Sequence, residues 1–414
     1  MKRSYRRKFV IVVVITLAAI LYAYQTSTSP WETITTTFLK TDKPYGGGDF
    51  RIHGNEVISV KSAGPTLLFK PLAELKNPDV AEFTEPWMDS SDERLNRSTV
   101  SFLRGTLSTG LTRTFEQQAQ DEAWWYSKDW GTVYLSTGWM DYKNHVAKNA
   151  FAPQITKLWR SKDSGSTWTQ LSWPENHNIG NLLFLDAQRG YAIGWGPNIW
   201  RTSDGGLSWQ AVNLPPPFGF HSTSRDTFDA VNLGPDGVLR VAYYVPRLAD
   251  IQKSSVVYQL AWDQTDFKLD MVLPQQTVVD LQTDNVTSGQ SYKVYALTRL
   301  GPPRDYNDSS DNGQRTGALS VWTAGNHTPT TEQLQTFNAR LTLNGMDIGQ
   351  RGVMLVYTTD ASDNGIPHDI TLLSKDAGKS WNELNDGAAQ GSYFDPETNT
   401  QYGLYAYSLK KRTF

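Results

Sequence analysis

The chain of 414 residues contains no cysteine, and this absence excludes several kinds of chemistry at once. There is no disulfide framework, no thiolate metal site, no cysteine nucleophile and no cysteine for N-terminal acylation. A chain without thiols also avoids mispairing in an oxidising compartment. The absence therefore permits export without requiring it.

The sequence also lacks a surplus of positive charge and any recognisable metal or phosphate motif. The formal net charge is −3, unlike the basic footprint of nucleic-acid binders. The chain has only 6 histidines, and none are paired at the spacing of metal ligands. No phosphate-binding loop, nucleophile elbow or calcium loop is evident. We therefore predict no metal, no cofactor and no nucleic-acid partner.

Aromatic and turn-forming residues are abundant. The chain has 15 Trp, 19 Tyr and 16 Phe together with 32 Gly and 20 Pro. Aromatic residues favour strands, and Gly and Pro favour the tight turns that join them. This composition predicts an all-β protein.

The N-terminal residues have the pattern of a membrane anchor. A basic segment at 1–8, predicted to be cytoplasmic, precedes an uninterrupted apolar run at 9–24. Such a run spans roughly 24 Å as a helix, a little less than the hydrocarbon core. The positive-inside rule then places the remainder outside the cytoplasm. We predict a single-pass signal anchor in a bacterial inner membrane, with a cleaved signal peptide as the alternative.

The residues after the anchor divide into two parts. Residues 25–48 are rich in Thr and Ser and end in three glycines, which is typical of a flexible tether. Residues 49–414 form the main domain, which the anchor would place in the periplasm.

A short motif of the form [S/T]-x-D-x-G-x-[S/T]-W occurs three times, each time after a short apolar strand. The Asp suits an Asx-type turn, the Gly accepts a positive φ, and the Trp buries a large area at the start of the returning strand. The motif therefore predicts a structural hairpin loop, not a catalytic carboxylate. Its key positions are Ser161, Asp163, Gly165 and Trp168; Thr202, Asp204, Gly206 and Trp209; and Ser374, Asp376, Gly378 and Trp381.

These copies resemble the Asp-box (BNR) repeats of sialidase-like and photosystem II assembly factor-like β-propellers. Residues 182–209 are similar to one whole four-stranded blade of the assembly-factor type. Asp163 and Asp204 are 41 positions apart, a usual blade period. The resemblance implies a β-propeller of four-stranded antiparallel sheets. We predict six blades, with seven as the alternative, and a strand at 402–408 that pairs with N-terminal strands to close the ring.

Arg51 is the candidate ligand-binding residue. The segment 49–53 (DFRIH) resembles the early Phe/Tyr-Arg-Ile-Pro motif of sialidases, with His53 in place of the proline. The resemblance implies that Arg51 is the first of three arginines that clamp a carboxylate, whereas an ordinary strand residue is the alternative. No motif identifies the other two arginines or the Tyr–Glu pair, so the catalytic residues stay unknown.

Several aromatic residues are candidates for a recognition surface or, alternatively, for core packing. They are Trp124, Trp125, Tyr126, Trp139 and Trp195.

The sequence thus favours a binding protein over an enzyme. The expected function is a non-enzymatic, membrane-anchored propeller that binds a protein partner outside the cytoplasm. It would act as an assembly or scaffold factor, or as a periplasmic immunity protein against a secreted toxin such as a type VI lipase effector. The alternative is a sialidase-like glycoside hydrolase or carbohydrate-binding protein.

Overall fold

The computed structural model describes most of the chain after residue 30. The described residues are 31–35, 49–63, 99–119, 121–140, 154–174, 179–194, 198–214, 228–248, 251–284, 291–301, 316–325, 332–360, 368–385, 391–405 and 408–414. The predicted anchor at 9–24 lies outside them. Within these ranges, no helix is long and apolar enough to cross a membrane.

The described residues form 28 strands in seven antiparallel sheets of four, so the fold is a seven-bladed β-propeller. Blades 1–3 follow one another along the chain after β1 (Glu32–Thr35). Blade 1 contains β2 (Asp49–His53), β3 (Glu56–Ala63), β4 (Thr99–Thr106) and β5 (Gly110–Gln118). Blade 2 contains β6 (Asp121–Tyr126), β7 (Val133–Met140), β8 (Gln154–Ser161) and β9 (Thr169–Leu171). Blade 3 contains β10 (Ile179–Phe184), β11 (Gly190–Gly194), β12 (Ile199–Thr202) and β13 (Gln210–Ala211).

The other four blades complete the ring. Blade 4 contains β14 (Ala230–Leu233), β15 (Leu239–Leu248), β16 (Ile251–Leu260) and β17 (Lys268–Pro274). Blade 5 contains β18 (Gln276–Thr283), β19 (Lys293–Leu300), β20 (Gly317–Thr323) and β21 (Glu332–Phe337). Blade 6 contains β22 (Leu341–Ile348), a 3-10 turn (Gln350–Gly352), β23 (Met354–Asp360), β24 (His368–Ser374) and β25 (Asn382–Asn385). Blade 7 contains β26 (Gly391–Asp395), β27 (Thr400–Tyr405), β28 (Ser408–Thr413) and β1.

The core consists of seven apolar clusters, one at each interface between neighbouring blades. Such clusters form because alternate side chains of every strand face opposite sides of the sheet. The first strands of neighbouring blades contact one another around most of the ring, so these strands lie innermost and surround the central axis. The turns after the first and third strands lie at one end of the blades, here called the turn face.

The prediction of six blades was wrong, and the seven-bladed alternative is correct. The last sheet is built from both ends of the chain, since β1 adds to β28 as its fourth strand. A count of repeats along the sequence does not detect a blade of this kind. Residues 32–35 were assigned to the tether, yet they form this closing strand. The ring is closed by pairing between β1 and β28, as in Glu32↔Lys411 and Thr35↔Leu409. The predicted closing strand at 402–408 was wrong, since β27 (Thr400–Tyr405) pairs with β26 and β28 and not with β1.

The closing strand is held by a buried arginine. The Arg412 guanidinium lies 4.3 Å from the ring centroid of Trp31, directly before β1. Arg412 is only 4% exposed, and its Nε and Nη2 donate to Gln401 Oε1 at 2.9 and 2.6 Å. Trp31 therefore packs over the Arg412 guanidinium, which is buried within the last blade.

We expect Trp31→Ala to destabilise the closing blade by about 1–2 kcal/mol, because a desolvated cation–π contact is lost. Hydrogen exchange of the amides in β28 measures this directly, and Trp31→Phe, which keeps a ring, is the matched control. Equal exchange in the alanine variant and the wild type would show that Trp31 does not hold the closure.

The three repeated motifs form equivalent loops between the third and fourth strands of blades 2, 3 and 6. In blade 2, Asp163 Oδ1 accepts from Thr167 N at 2.8 Å, and Oδ2 accepts from Thr167 Oγ1 at 2.6 Å. Ser161 Oγ accepts from Gly165 N at 2.7 Å. Asp204 with Ser208, and Asp376 with Ser380, repeat the aspartate contacts.

These loops also join neighbouring blades. Gly165 O accepts from Thr114 of blade 1, and Gly205 O accepts from Tyr134 of blade 2. Trp168 packs against Phe102 of blade 1 with ring centroids 5.0 Å apart. Trp381 packs in the same way against Phe337 of blade 5. These contacts attach each motif loop to the preceding blade.

We expect Asp163→Asn to lower the free energy of unfolding by about 1–2 kcal/mol, because the new amide NH₂ cannot accept from Thr167. The hydrogen bonds from Thr167 lower the pKa of Asp163 to about 2. A lowered carboxylate pKa stabilises the fold above the unfolded pKa of ~4. The difference between variant and wild type should therefore shrink as the pH falls from about 4 towards 2.

Chemical denaturation across this pH range measures the effect. The control is Asp266→Asn, since Asp266 is an exposed residue of the corresponding turn in blade 4, which lacks the motif. Equal free energies of unfolding of the two variants at neutral pH would contradict a structural role for Asp163.

Candidate functional site

A cluster of charged and aromatic side chains crosses the central axis near the turn face. Arg51, on β2 of blade 1, lies at its centre. The Arg51 Cζ is 5.2 Å from the ring centroid of Trp124, 5.9 Å from that of Tyr126 and 5.0 Å from that of Tyr393. Trp124 and Tyr126 belong to β6 of blade 2, and Tyr393 belongs to β26 of blade 7.

Contacts between blades that are not neighbours place this cluster in the central channel. Tyr126 and Tyr393 interact with one another, although blade 1 lies between blades 2 and 7. Lys128 Nζ of blade 2 and Glu397 Oε1 of blade 7 form an ion pair at 2.5 Å. Arg51 interacts electrostatically with Asp347 of blade 6, which is also not a neighbour of blade 1. Only side chains that reach across the channel make such contacts.

Asp49 anchors the arginine from the same strand. Its Oδ1 forms an ion pair with Arg51 Nη1, and its Oδ2 accepts from Trp124 Nε1 at 2.9 Å. Burial lowers the pKa of Arg51, but Asp49 and the tyrosine hydroxyls outweigh burial, and the net direction is upward. Arg51 therefore remains charged. The side chains of Arg51 and Asp49 are 25% and 45% exposed, so solvent and ligands have access to them.

Two more carboxylates extend the cluster. Asp347, on β22, accepts from Tyr357 Oη at 2.6 Å. Asp280, on β18 of blade 5, accepts from the backbone N–H of Met346 at 2.9 Å. Burial raises the pKa of Asp347, and it raises that of Asp280 to about 6. Asp49, Arg51, Trp124, Tyr126, Asp280, Asp347 and Tyr393 are called the channel cluster from here on.

The structure brings together only part of the set that the sequence suggested. Arg51 meets Trp124 and Tyr126, whereas Trp125 packs into the core between blades 2 and 3. Trp195 and the side chain of Trp139 lie outside the described residues. Tyr393, Asp347 and Asp280 carry no local motif that would mark them in the sequence, and they were not predicted.

No second arginine joins Arg51 among the described side chains of the channel cluster. Arg240 is fully buried in an ion pair with Asp270, and Arg299 donates to the carbonyl of Leu343. Arg340 pairs with Glu383, away from the cluster. Arg225 and the side chain of Arg247 lie outside the described residues. A clamp of three arginines is therefore not assembled within the described part of the chain.

The aspartates of the repeated motif do not belong to this cluster and lie in the turns between the third and fourth strands. The described residues contain no group of three or more His, Cys, Asp or Glu side chains placed to hold a metal ion. The channel cluster presents ring faces, one guanidinium and several carboxylates.

Comparisons with known proteins relate the chain to others by fold. No family model and no curated protein matches this sequence. The structure of "YCF48 bound to D1 peptide" is similar, with a TM-score of 0.53, 11% identity, and coverage of 94% of this chain and 96% of that one. YCF48 from Cyanidioschyzon merolae has a TM-score of 0.45, 11% identity and coverage of 77% and 92%. A GH74 xyloglucanase from Xanthomonas campestris has a TM-score of 0.45 and 12% identity, with coverage of 93% of this chain and 54% of that one. At these identities the similarity is one of fold alone.

Proposed function

We propose that this chain is a non-enzymatic β-propeller that binds a protein partner at the channel cluster. The carrying observation is that partly exposed charges and aromatic rings from five blades converge at one end of the channel. Aromatic and arginine side chains dominate the binding energy of protein interfaces. The similar propeller YCF48 is described as bound to a peptide, which supports a polypeptide ligand for this fold.

We place this propeller at the outer face of a bacterial inner membrane. The support is the basic segment at 1–8 followed by the apolar run at 9–24. With this anchor, the full chain should stay in the membrane pellet after alkaline extraction. Protease added to spheroplasts should digest the body. Release of the full chain into the soluble fraction would contradict the proposed anchor.

Two roles fit such a binding protein, and the described residues do not distinguish between them. One is an assembly or scaffold factor, and the other is an immunity protein that blocks a secreted toxin such as a type VI lipase effector. The alternative function, a sialidase-like hydrolase or carbohydrate-binding protein, is disfavoured by the single arginine in the described cluster.

Capture of the partner by the full chain tests the proposal. We expect the double variant Tyr126→Ala/Tyr393→Ala to lose a partner that the wild type retains, since both rings contact Arg51 at the centre of the cluster. The control is Leu207→Ala, because Leu207 is 59% exposed in the motif loop of blade 3. A partner lost only with the Leu207 variant would contradict binding at the channel. Hydrolysis of sialosides that requires Arg51 would instead support the alternative.

A further inference from the structure

The channel cluster carries more negative than positive charge. Its only cation is Arg51, and its carboxylates are Asp49, Asp280 and Asp347. Arg51 is already paired with Asp49. The donors to Asp347 and Asp280 in the described contacts are a tyrosine hydroxyl, a backbone N–H and the amide of Gln282, not a lysine or a second arginine. Neither Asp347 nor Asp280 therefore forms an ion pair among the described contacts, although Arg51 interacts electrostatically with Asp347.

The aromatic members of the cluster add a second feature that attracts cations. Three ring centroids lie 5.0–5.9 Å from the carbon at the centre of a guanidinium. Aromatic faces at such distances attract ammonium and guanidinium groups through the ring quadrupole. The rings of Trp124 and Tyr126 lie side by side, with centroids 5.5 Å apart. Both rings also pack against the core between blades 1 and 2 and are partly exposed, so a further cationic side chain would stack on their exposed part.

We infer that the segment of the partner that enters this channel is basic, with a lysine or arginine side chain placed between Asp347, Asp280 and the aromatic rings. This inference rests on the proposed function, which identifies the channel as the binding site. It specifies the sign of charge that the channel selects. An anionic ligand, such as an acidic peptide or a sugar carboxylate, would meet three carboxylates against one guanidinium, and Asp49 already pairs with that guanidinium.

The inference has a consequence for pH dependence. Asp280 faces Gln282, the Met346 N–H and Asp347, while Asp347 faces Tyr357, Arg51 and Asp49. Burial raises the pKa of both carboxyl groups, and it raises that of Asp280 to about 6, so Asp280 becomes protonated as the pH falls through about 6. A bound cation stabilises the ionised carboxylates and lowers their pKa. Affinity for a basic ligand should therefore fall as the pH drops from neutral through about 6.

Fluorescence anisotropy with the full chain in detergent tests the inference. The probes are three labelled peptides of equal length that alternate glycine with lysine, glutamate or glutamine. We expect the lysine peptide to bind at physiological salt. The double variant Asp280→Asn/Asp347→Asn should weaken this binding by about tenfold or more, because two charges are removed at nearly constant shape. The control Asp266→Asn should leave the affinity unchanged.

The possible results separate this inference from the proposed function. Preference for the glutamate peptide, lost in Arg51→Ala, would overturn the basic ligand while retaining the channel as a binding site. Equal binding of the lysine peptide by wild type and double variant would also overturn it, since the peptide would then bind elsewhere. If no peptide binds, the inference fails, and partner capture with the Tyr126/Tyr393 variant still decides the proposed function.

Discussion

Replacing Arg240 by methionine should lower the free energy of unfolding by about 3–5 kcal/mol, because the change leaves a buried charge without its partner. Arg240 is 0% exposed and lies between blades 4 and 5. Its Nε donates to Asp270 Oδ2 at 2.9 Å, and its Nη1 donates to Tyr292 Oη at 2.8 Å. Chemical denaturation measures the loss.

A second variant separates a buried ion pair from simple loss of packing. In Arg240→Met/Asp270→Leu both charges are replaced by apolar groups, so no unpaired carboxylate remains. We expect the double variant to recover much of the stability, since apolar replacement of a whole buried pair is often neutral. If it is as unstable as the single variant, the loss arises from packing or from the Tyr292 contact instead.

Gly165→Ala should cost about 2–5 kcal/mol, from a backbone cost of about 1–2 and a packing cost of about 1–3. Gly165 has φ +83°, and a Cβ there would lie 2.1 Å from Phe102 Cε1. Phe102 is 0% exposed and packs against Trp168. The new methyl group would therefore push blade 2 away from blade 1.

The matched control is Gly54→Ala. Gly54 also has a positive φ, of +59°, but no atom lies within 4 Å of a Cβ placed there. We expect this variant to show the backbone cost alone. Thermal unfolding of both variants separates the two contributions, and equal losses would mean that the contact with Phe102 is unimportant.

The repeated motif made the fold class predictable, because its residues satisfy one another within a few positions. Asp163 and Asp204 mark successive blades, and blade 3 overlaps the predicted range 182–209, although its fourth strand (Gln210–Ala211) lies just after that range. The spacing from Asp204 to Asp376 covers two intervening blades with long connections. The closing strand at Glu32–Thr35 was not predictable, since its stability comes from β28 and from Arg412, at the other end of the chain.

The candidate site was predictable only where a local motif marked it. Arg51 was identified from its five-residue context, and Trp124 and Tyr126 from their aromatic run. Tyr393 and Asp347 lie far away in sequence and reach Arg51 only because the ring closes. Whether these residues lie on innermost strands depends on the number of blades and on the strand register. The sequence left the number of blades open between six and seven.

The most direct test of the account is site-specific photo-cross-linking in the native cell. A photoreactive phenylalanine analogue is placed at Tyr393 in the channel or at Leu207 on the motif loop of blade 3. If the channel holds the partner, a discrete cross-linked product forms from position 393 and not from position 207. A product from position 207 alone, with none from position 393, would contradict binding in the channel.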